Sequence, residues 1–340
     1  MTTFKELRGT AIQAVSSDPS NPEIGQIWYN SSSGTLKGYL YGTLNAWASS
    51  NALPAARSNI GQSGTLTAAL IFGGVSAPGA SANGTFTYNG SSWSSSPANL
   101  NTARSALGGA GTQTSAIAFG GGGVTGPPTT RTAETESWNG SSWTVVNSLN
   151  TSREALGSAG TQTAALAFGG FTSGPYPTGN TAATESWNGT SWTSVNSLNQ
   201  RRDSLGSCGI QTAALAAGGQ VGPPVANSTE LWNGTSWTAI PGVLNTARGG
   251  LGMFGIQTAA VAFGGAPSGV TGATELFNGS TWTNNPTGLG TARTGFINGA
   301  IGTQTGSGLA IGGASPGATP LTNVELWSGN ANQVKTITVS

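Results

Sequence analysis

Six arginines stand at one position of a recurring pattern, Arg57, Arg104, Arg153, Arg202, Arg248 and Arg293, and five glutamates at another, Glu136, Glu185, Glu230, Glu275 and Glu325. A guanidinium presents its donors in a rigid fork that matches a carboxylate or phosphate. Six in register could therefore ring a common opening and hold an anion. A charge that recurs once per repeat also has a scaffold reading, and the sequence leaves the partners of these arginines open. Outside the register, Arg131, Phe171, Tyr176 and the additional Arg201 stand out from segments rich in Gly, Pro, Ser and Thr. An aromatic with a nearby arginine suits a sugar ring or an acidic sugar, by stacking and charge-assisted hydrogen bonds. The plainer reading of the same residues is a turn with incidental side chains.

Much chemistry is excluded. The chain has no His, which removes the commonest metal ligand and general base, and one Cys, Cys208, which rules out an internal disulfide. No metal and no cofactor is expected. Off the register, the carboxylates of the repeat region are Glu134, Glu154 and Asp203, which read as ordinary strand or loop charges rather than the paired acids of a glycosidase. The expectation is a protein that is not an enzyme. Charged residues make up 7% of the 340 residues against about 25% in a typical domain, and the net charge is +1. No Lys/Arg run exceeds Arg201–Arg202, so a nucleic-acid partner is not expected. Apolar runs such as Ala164 to Phe168 are far short of a bilayer span, so neither is membrane insertion, and MTTFKELRGT lacks the apolar core of a signal peptide.

The elements that position these residues follow from repetition. TESWNGSSWT at 135–144 returns as TESWNGTSWT, TELWNGTSWT and TELFNGSTWT. Double glycines end apolar runs at Gly73, Gly120, Gly169, Gly218, Gly264 and Gly312, with steps of 47, 49, 49, 46 and 48 residues. A period of this length divides into four strands: a small-residue strand such as REALGSAG, an apolar strand such as TAALAFGG, a strand ending in TESW, and one opening with TSWTSV. Asn-Gly between the last two predicts a hairpin with a two-residue turn of type I′. Trp138 then faces Ser141 and Glu136 faces Trp143, with both indoles and the carboxylate on one side. Four-stranded units with double Gly and a late Trp are what a β-propeller blade needs. Glycines let the inner strands crowd near the axis, and aromatics fill the space between blades.

At these residues, with Tyr88, Trp138, Trp187, Trp232, Phe277 and Trp327 in the third strand, the chain resembles the kelch repeat. The resemblance covers about residues 51–340 and implies an all-β, kelch-like β-propeller of six four-stranded blades, seven with one incomplete being the alternative. The last blade is expected to close through VELWSGN and VKTITVS. LKGYLYGTLNAW at 36–47 reads as a further strand pair that joins the closing blade or stands alone. Residues 1–50 have a different composition, and GQIWYNSSSGTLKGYLY followed by Trp47 resembles a short hairpin module of tailed-phage virion and tail-fibre proteins. LNTAR and GTQTAALAFGG resemble virion proteins too. These resemblances imply a virion location, attachment to other virion proteins through 1–50, and a loop face (75–85, 122–133, 171–183, 220–228, 266–273, 314–322) directed at a host-surface glycan or receptor. A purely structural decoration and a secreted bacterial adhesin are the alternatives, and self-association into a homo-oligomer stays open.

Overall fold

The computed structural model describes residues 12–21, 26–77, 80–123, 130–174, 178–223, 225–266, 269–296, 301–302 and 306–336, the side chains of 40–44 and 330–336 excepted. The chain forms two compact units, one of residues 1–45 with 328–340 and one of 46–327. The expected division at residue 50 therefore shifts, and the C-terminal stretch falls in the first unit.

In the first unit, Gln13–Val15 pairs in parallel with Ile27–Asn30, which forms a hairpin with the start of the strand Thr35–Ser50. One carboxylate gathers this unit. Asp18 accepts from Trp28 Nε1 at 3.1 Å, Asn30 Nδ2 at 2.7 Å and Lys37 Nζ at 2.7 Å. Hydrogen bonding from Lys37 above all holds the Asp18 carboxyl down at about 2.

The second unit is a β-propeller. Five four-stranded antiparallel sheets follow one another along the chain, each ordered from the axis outward, as in Gly108–Gly111, Ala116–Phe119, Thr135–Trp138 and Trp143–Val146. The sixth place is taken by Ile301–Gly302, Ser307–Ile311 and the start of Val324–Thr336, with the end of Thr35–Ser50 outermost. Two expectations change here. Residues 36–47 belong to a single 16-residue strand and not to a strand pair. The closing outer strand comes from Ala46–Ser50, whereas 334–336 continue the long C-terminal strand and 337–340 lie outside the described residues. Among the described residues no seventh blade remains.

The second strands, AIAF and ALAF among them, are buried on both faces, so their unbroken apolar runs are those of a sheet sandwiched between neighbours. The double glycines permit a backbone approach that no side chain would survive. A Cβ on Gly120 would lie 2.7 Å from the Arg153 carbonyl of the next blade, and one on Gly121 2.7 Å from the Ser105 carbonyl.

Aromatics fill the wedges as expected. Trp138 and Trp143 pack on Leu70 and Phe72 of the preceding blade, with Phe72 and Trp143 edge to face at 4.8 Å. The hairpin itself departs from the two-residue turn. Trp138 faces Trp143 and Glu136 faces Val145, leaving four residues in the loop. The cause is the Asn139 side chain, whose Oδ1 accepts from the backbone N–H of Ser141 at 2.9 Å and Ser142 at 2.8 Å. The side chain makes the turn that Asn-Gly alone would have made with two residues. Both indoles and the carboxylate still share one face.

Each outer-strand indole also donates to a threonine of the preceding blade: Trp143 to Thr85, Trp192 to Thr135, Trp237 to Thr184, Trp282 to Thr229 and Trp47 to Thr274, at 2.9 to 3.1 Å. The GTQT and GIQT glutamines staple blades at the opposite end. Gln113 Nε2 reaches the Ala69 and Tyr88 carbonyls, and Gln162 and Gln211 repeat the contact one blade on. The seam between the last and first blades breaks both rules. Leu66 replaces the glutamine, Val324 replaces the threonine, and Trp93 Nε1 is buried without a partner, although Trp93 and Val324 share one cluster. Val324→Thr is accordingly expected to stabilise the protein by about 1 kcal/mol, the net contribution of one buried hydrogen bond, measured by chemical denaturation. No gain, or a loss, would show that the orphan indole is satisfied in another way.

Candidate functional site

Five of the six register arginines, Arg104, Arg153, Arg202, Arg248 and Arg293, are 0% exposed. They line no opening, and the expected guanidinium ring at the channel mouth is corrected. Each pairs instead with the glutamate of its own blade, at 2.9 Å for Arg104–Glu136, 2.8 Å for Arg153–Glu185, Arg202–Glu230 and Arg248–Glu275, and 3.0 Å for Arg293–Glu325. The LNTAR motif explains the geometry. Asn101 donates from its backbone and side chain to Glu136 and from its side chain to the Trp143 carbonyl, while Arg104 adds bonds to the Glu134 and Gly120 carbonyls. The connection entering this blade is thus fastened to its third strand by a buried ion pair and to its fourth by the asparagine side chain. Burial pulls the Arg104 guanidinium below its ordinary range, and Glu136 opposes that shift.

Arg57 departs from the rule because the first blade has Phe86 where the others have glutamate. Its guanidinium lies 5.1 Å from the Phe86 ring centroid and donates to the Ala56 carbonyl. It is buried too, so the sixth member of the expected ring does not present an anion site.

Two residues after each arginine the chain turns back over the axis. Asn59, Ala106, Ala155, Ser204, Gly250 and Gly295 all have positive φ, between 51° and 73°. Their backbones form a closed circuit: Asn59 N–H donates to Gly295, Ala106 to Asn59, Ala155 to Ala106, Ser204 to Ala155, Gly250 to Ser204, and Phe296 to Gly250. Six peptide bonds from six blades thereby make a floor across the axis. On its far side, between the inner strands, lies a cavity of about 190 Å3 lined by Gln62, Ser158, Ser207 and Cys208 among others. Burial pushes the Cys208 thiol up to about 12, which makes it inert.

On the loop side of the floor are two adjoining depressions of about 500 and 460 Å3, sharing Asn59, Val75, Ser204 and Gln220. The first is walled by small or apolar residues such as Ala266, Val270 and Ala314. The second holds Arg131, Glu154, Phe171 and Asp203. The residue after the register arginine and the residue after the double glycine bridge each other in all six blades, pairing Ser58 with Val75, Ser105 with Gly122, Glu154 with Phe171, Asp203 with Gln220, Gly249 with Ala266 and Thr294 with Ala314. Only two of the six bring a carboxylate, and they are in consecutive blades.

The structure brings two of the four expected ligand residues together. The Arg131 guanidinium lies 4.4 Å from the Phe171 ring centroid and 2.9 Å from Glu154 Oε1. Arg201 is exposed and lines neither depression, and Tyr176 lies outside the described residues. Gly122 makes room for this cluster, since a Cβ there would lie 2.2 Å from Glu154 Oε2. The acidic-sugar expectation loses its footing: the Arg131 charge is met by Glu154, and a guanidinium already covers Phe171. Glu154 and Asp203, read from sequence as ordinary charges, are the residues sequence reasoning missed. The signal was present in the register, because they follow the repeat arginine where other blades have Ser, Gly or Thr.

Asp203 is 5% exposed and its carboxyl is pushed up to about 6, first by burial and also by Glu154, against hydrogen bonds from Ser204 and Asn180. Burial raises the Glu154 carboxyl as well, with Arg131 opposing. A carboxyl whose folded pKa lies above its unfolded value near 3.8 takes stability away as pH rises from about 4 through about 6. Asp203→Asn should therefore raise stability at pH 7.5 by up to about 3 kcal/mol and by nothing at pH 3.5, as thermal melts at the two pH values would show. Loss of stability at pH 7.5 would mean that the ionised carboxylate is structurally required. The register pairs predict the opposite behaviour. Glu185→Ala should cost about 3–5 kcal/mol by leaving Arg153 buried and uncompensated, and the double change Arg153→Met with Glu185→Leu should cost much less; equal losses in denaturation curves would refute this.

No protein-family model matches the chain, and none of the curated proteins matches it. Solved structures do: the structure of YjhT superposes with a TM-score of 0.68 at 13% identity, over 84% of this chain and 99% of that one. At that identity the likeness is one of fold, and it establishes the chain as a β-propeller.

Proposed function

We propose that this chain is a non-enzymatic virion protein of a tailed bacteriophage, of tail-fibre or decoration type, whose kelch-like propeller binds a host-surface glycan or receptor through its loop face. The observation that carries this reading is the break in sixfold repetition above the peptide floor. Four blades place small neutral residues after the register arginine, and two consecutive blades place Glu154 and Asp203 there, with Arg131 and Phe171 against Glu154. Scaffolded loops that differ while the scaffold repeats are where recognition concentrates. The absence of catalysis is supported by the same cluster. Glu154 is paired with Arg131, and among the described residues lining this part of the crater Asp203 has no second free carboxylate beside it. Attachment to the particle is supported by the resemblance of residues 25–47 to tail-fibre hairpin modules and by the gathering of Trp28, Asn30 and Lys37 on Asp18 within a compact unit separate from the propeller.

The test is binding of the full chain to a bacterial glycan array, beside the triple variant Arg131→Ala, Phe171→Ala, Tyr176→Ala. Binding that falls at least about tenfold in the variant is the expected result. An absence of binding by either protein would favour a structural decoration. The chain is also expected in purified particles, and its absence from them would remove the virion assignment.

A further inference from the structure

The loop-face depression has a charge balance that narrows its ligand. Among the residues lining the charged half, Arg131, Glu154 and Asp203 are the ionic ones, and their sum is one net negative charge. Arg131 is committed to Glu154 at 2.9 Å and to the Phe171 ring. Asp203 is ion-paired to no described residue. Its contacts are neutral, from Ser204 and Asn180, and it is 5% exposed. A buried carboxylate with neutral partners destabilises the fold by its desolvation, and residues that cost stability are retained where function uses them. The neighbouring groups are neutral: Gln220 and Asn59 line both depressions. The other half of the crater is small and apolar, with Val75, Val270, Ala266 and Ala314.

From this arrangement we infer that the crater takes a saccharide bearing a free ammonium group, an amino sugar whose cation is seated on Asp203 and whose ring lies over the small apolar wall. The inference rests on the proposed glycan-binding reading and reverses the acidic-sugar expectation drawn from sequence. An anionic sugar would meet uncompensated negative charge, and Arg131 could greet it only by abandoning Glu154. A neutral N-acetylated sugar would leave the Asp203 carboxylate buried and unpaired. The breadth of the depression, about 460 Å3 beside about 500 Å3, favours a pyranose ring over the slim tail of a lysine.

The experiment is calorimetric titration of the full chain at pH 7.0 with glucosamine, N-acetylglucosamine, galacturonate and, as a non-saccharide ammonium, trilysine. Glucosamine should bind about tenfold or more tightly than N-acetylglucosamine, as a charge-assisted contact in a buried site would give, with galacturonate weakest. Asp203→Asn, expected to fold well because it removes a buried charge, should abolish the preference. Arg131→Met, which frees Glu154, should strengthen it. Equal or tighter binding of N-acetylglucosamine or galacturonate would overturn the inference while leaving the glycan-binding reading intact. A glucosamine preference that survives Asp203→Asn would overturn it as well. Binding of trilysine in place of the sugars would show a peptide-recognising face, and silence toward all four ligands, with array binding retained, would show that the glycan recognised carries no ammonium.

Discussion

A guanidinium removed from water must meet a counter-charge and hydrogen-bond acceptors in fixed positions, and this propeller satisfies that demand five times over. The demand explains why so many otherwise unrelated residues are held in register. Glutamate must stand two residues before the end of the third strand and, in four of the five blades, a carbonyl at the double glycine must point inward, because both accept from the same buried cation, while the residue three before the arginine, asparagine in those four blades and Gly290 in the fifth, donates to the glutamate and holds it in place. Hydrophobic burial between blades is larger in area, but it is tolerant of sliding. The ion pair is not, since a one-residue slip would carry the glutamate to the other face of its strand. The arginine register is thus the device that fixes how each blade is entered.

The first blade shows what happens where the demand is met otherwise. Phe86 stands in place of glutamate, Pro54 in place of asparagine, Leu66 in place of the stapling glutamine, and Val324 faces Trp93 in place of threonine. All these changes gather at the junction where the last sheet meets the first. Polar fastening is exchanged there for an apolar cluster of Leu53, Ile60, Ile71, Phe86, Tyr88, Trp93, Ile301, Leu309, Ile311 and Val324. A junction joined by non-directional contacts tolerates small misalignments accumulated around five preceding blades, and that is a physical reason for the exception to sit here.

Much of this was legible in the sequence, for reasons that differ by element. The double glycines and the spaced tryptophans announce a blade because backbone crowding and wedge filling need those residue types and few others. The hairpin at Asn139 was legible as a turn but not as its type, because the competing side-chain acceptor is invisible to a dipeptide rule. The Arg–Glu pairs were visible as two registers and not as partners, since they meet only when a third strand some thirty residues away is docked. Arg131 and Glu154 come from loops of consecutive blades, and their meeting depends on Gly122, a glycine with no periodic mark of its own. Local sequence carries turns and periods; contacts between loops belong to the assembled ring.

The peptide floor separates what can drift from what cannot. It is built of backbone groups, and four of its six positions already hold Asn, Ala or Ser, while at Gly250 and Gly295 a Cβ would crowd Thr294 and Asn59. The residues immediately before it line the crater, and the contact they repeat in every blade is a backbone bridge that places no demand on the side chain. The chemistry of the crater can therefore differ from blade to blade, as it does at Glu154 and Asp203, without touching the part that closes the ring. In that sense the molecule is a fixed vessel with an exchangeable lining, and its repeats are as much an evolutionary convenience as a structural one.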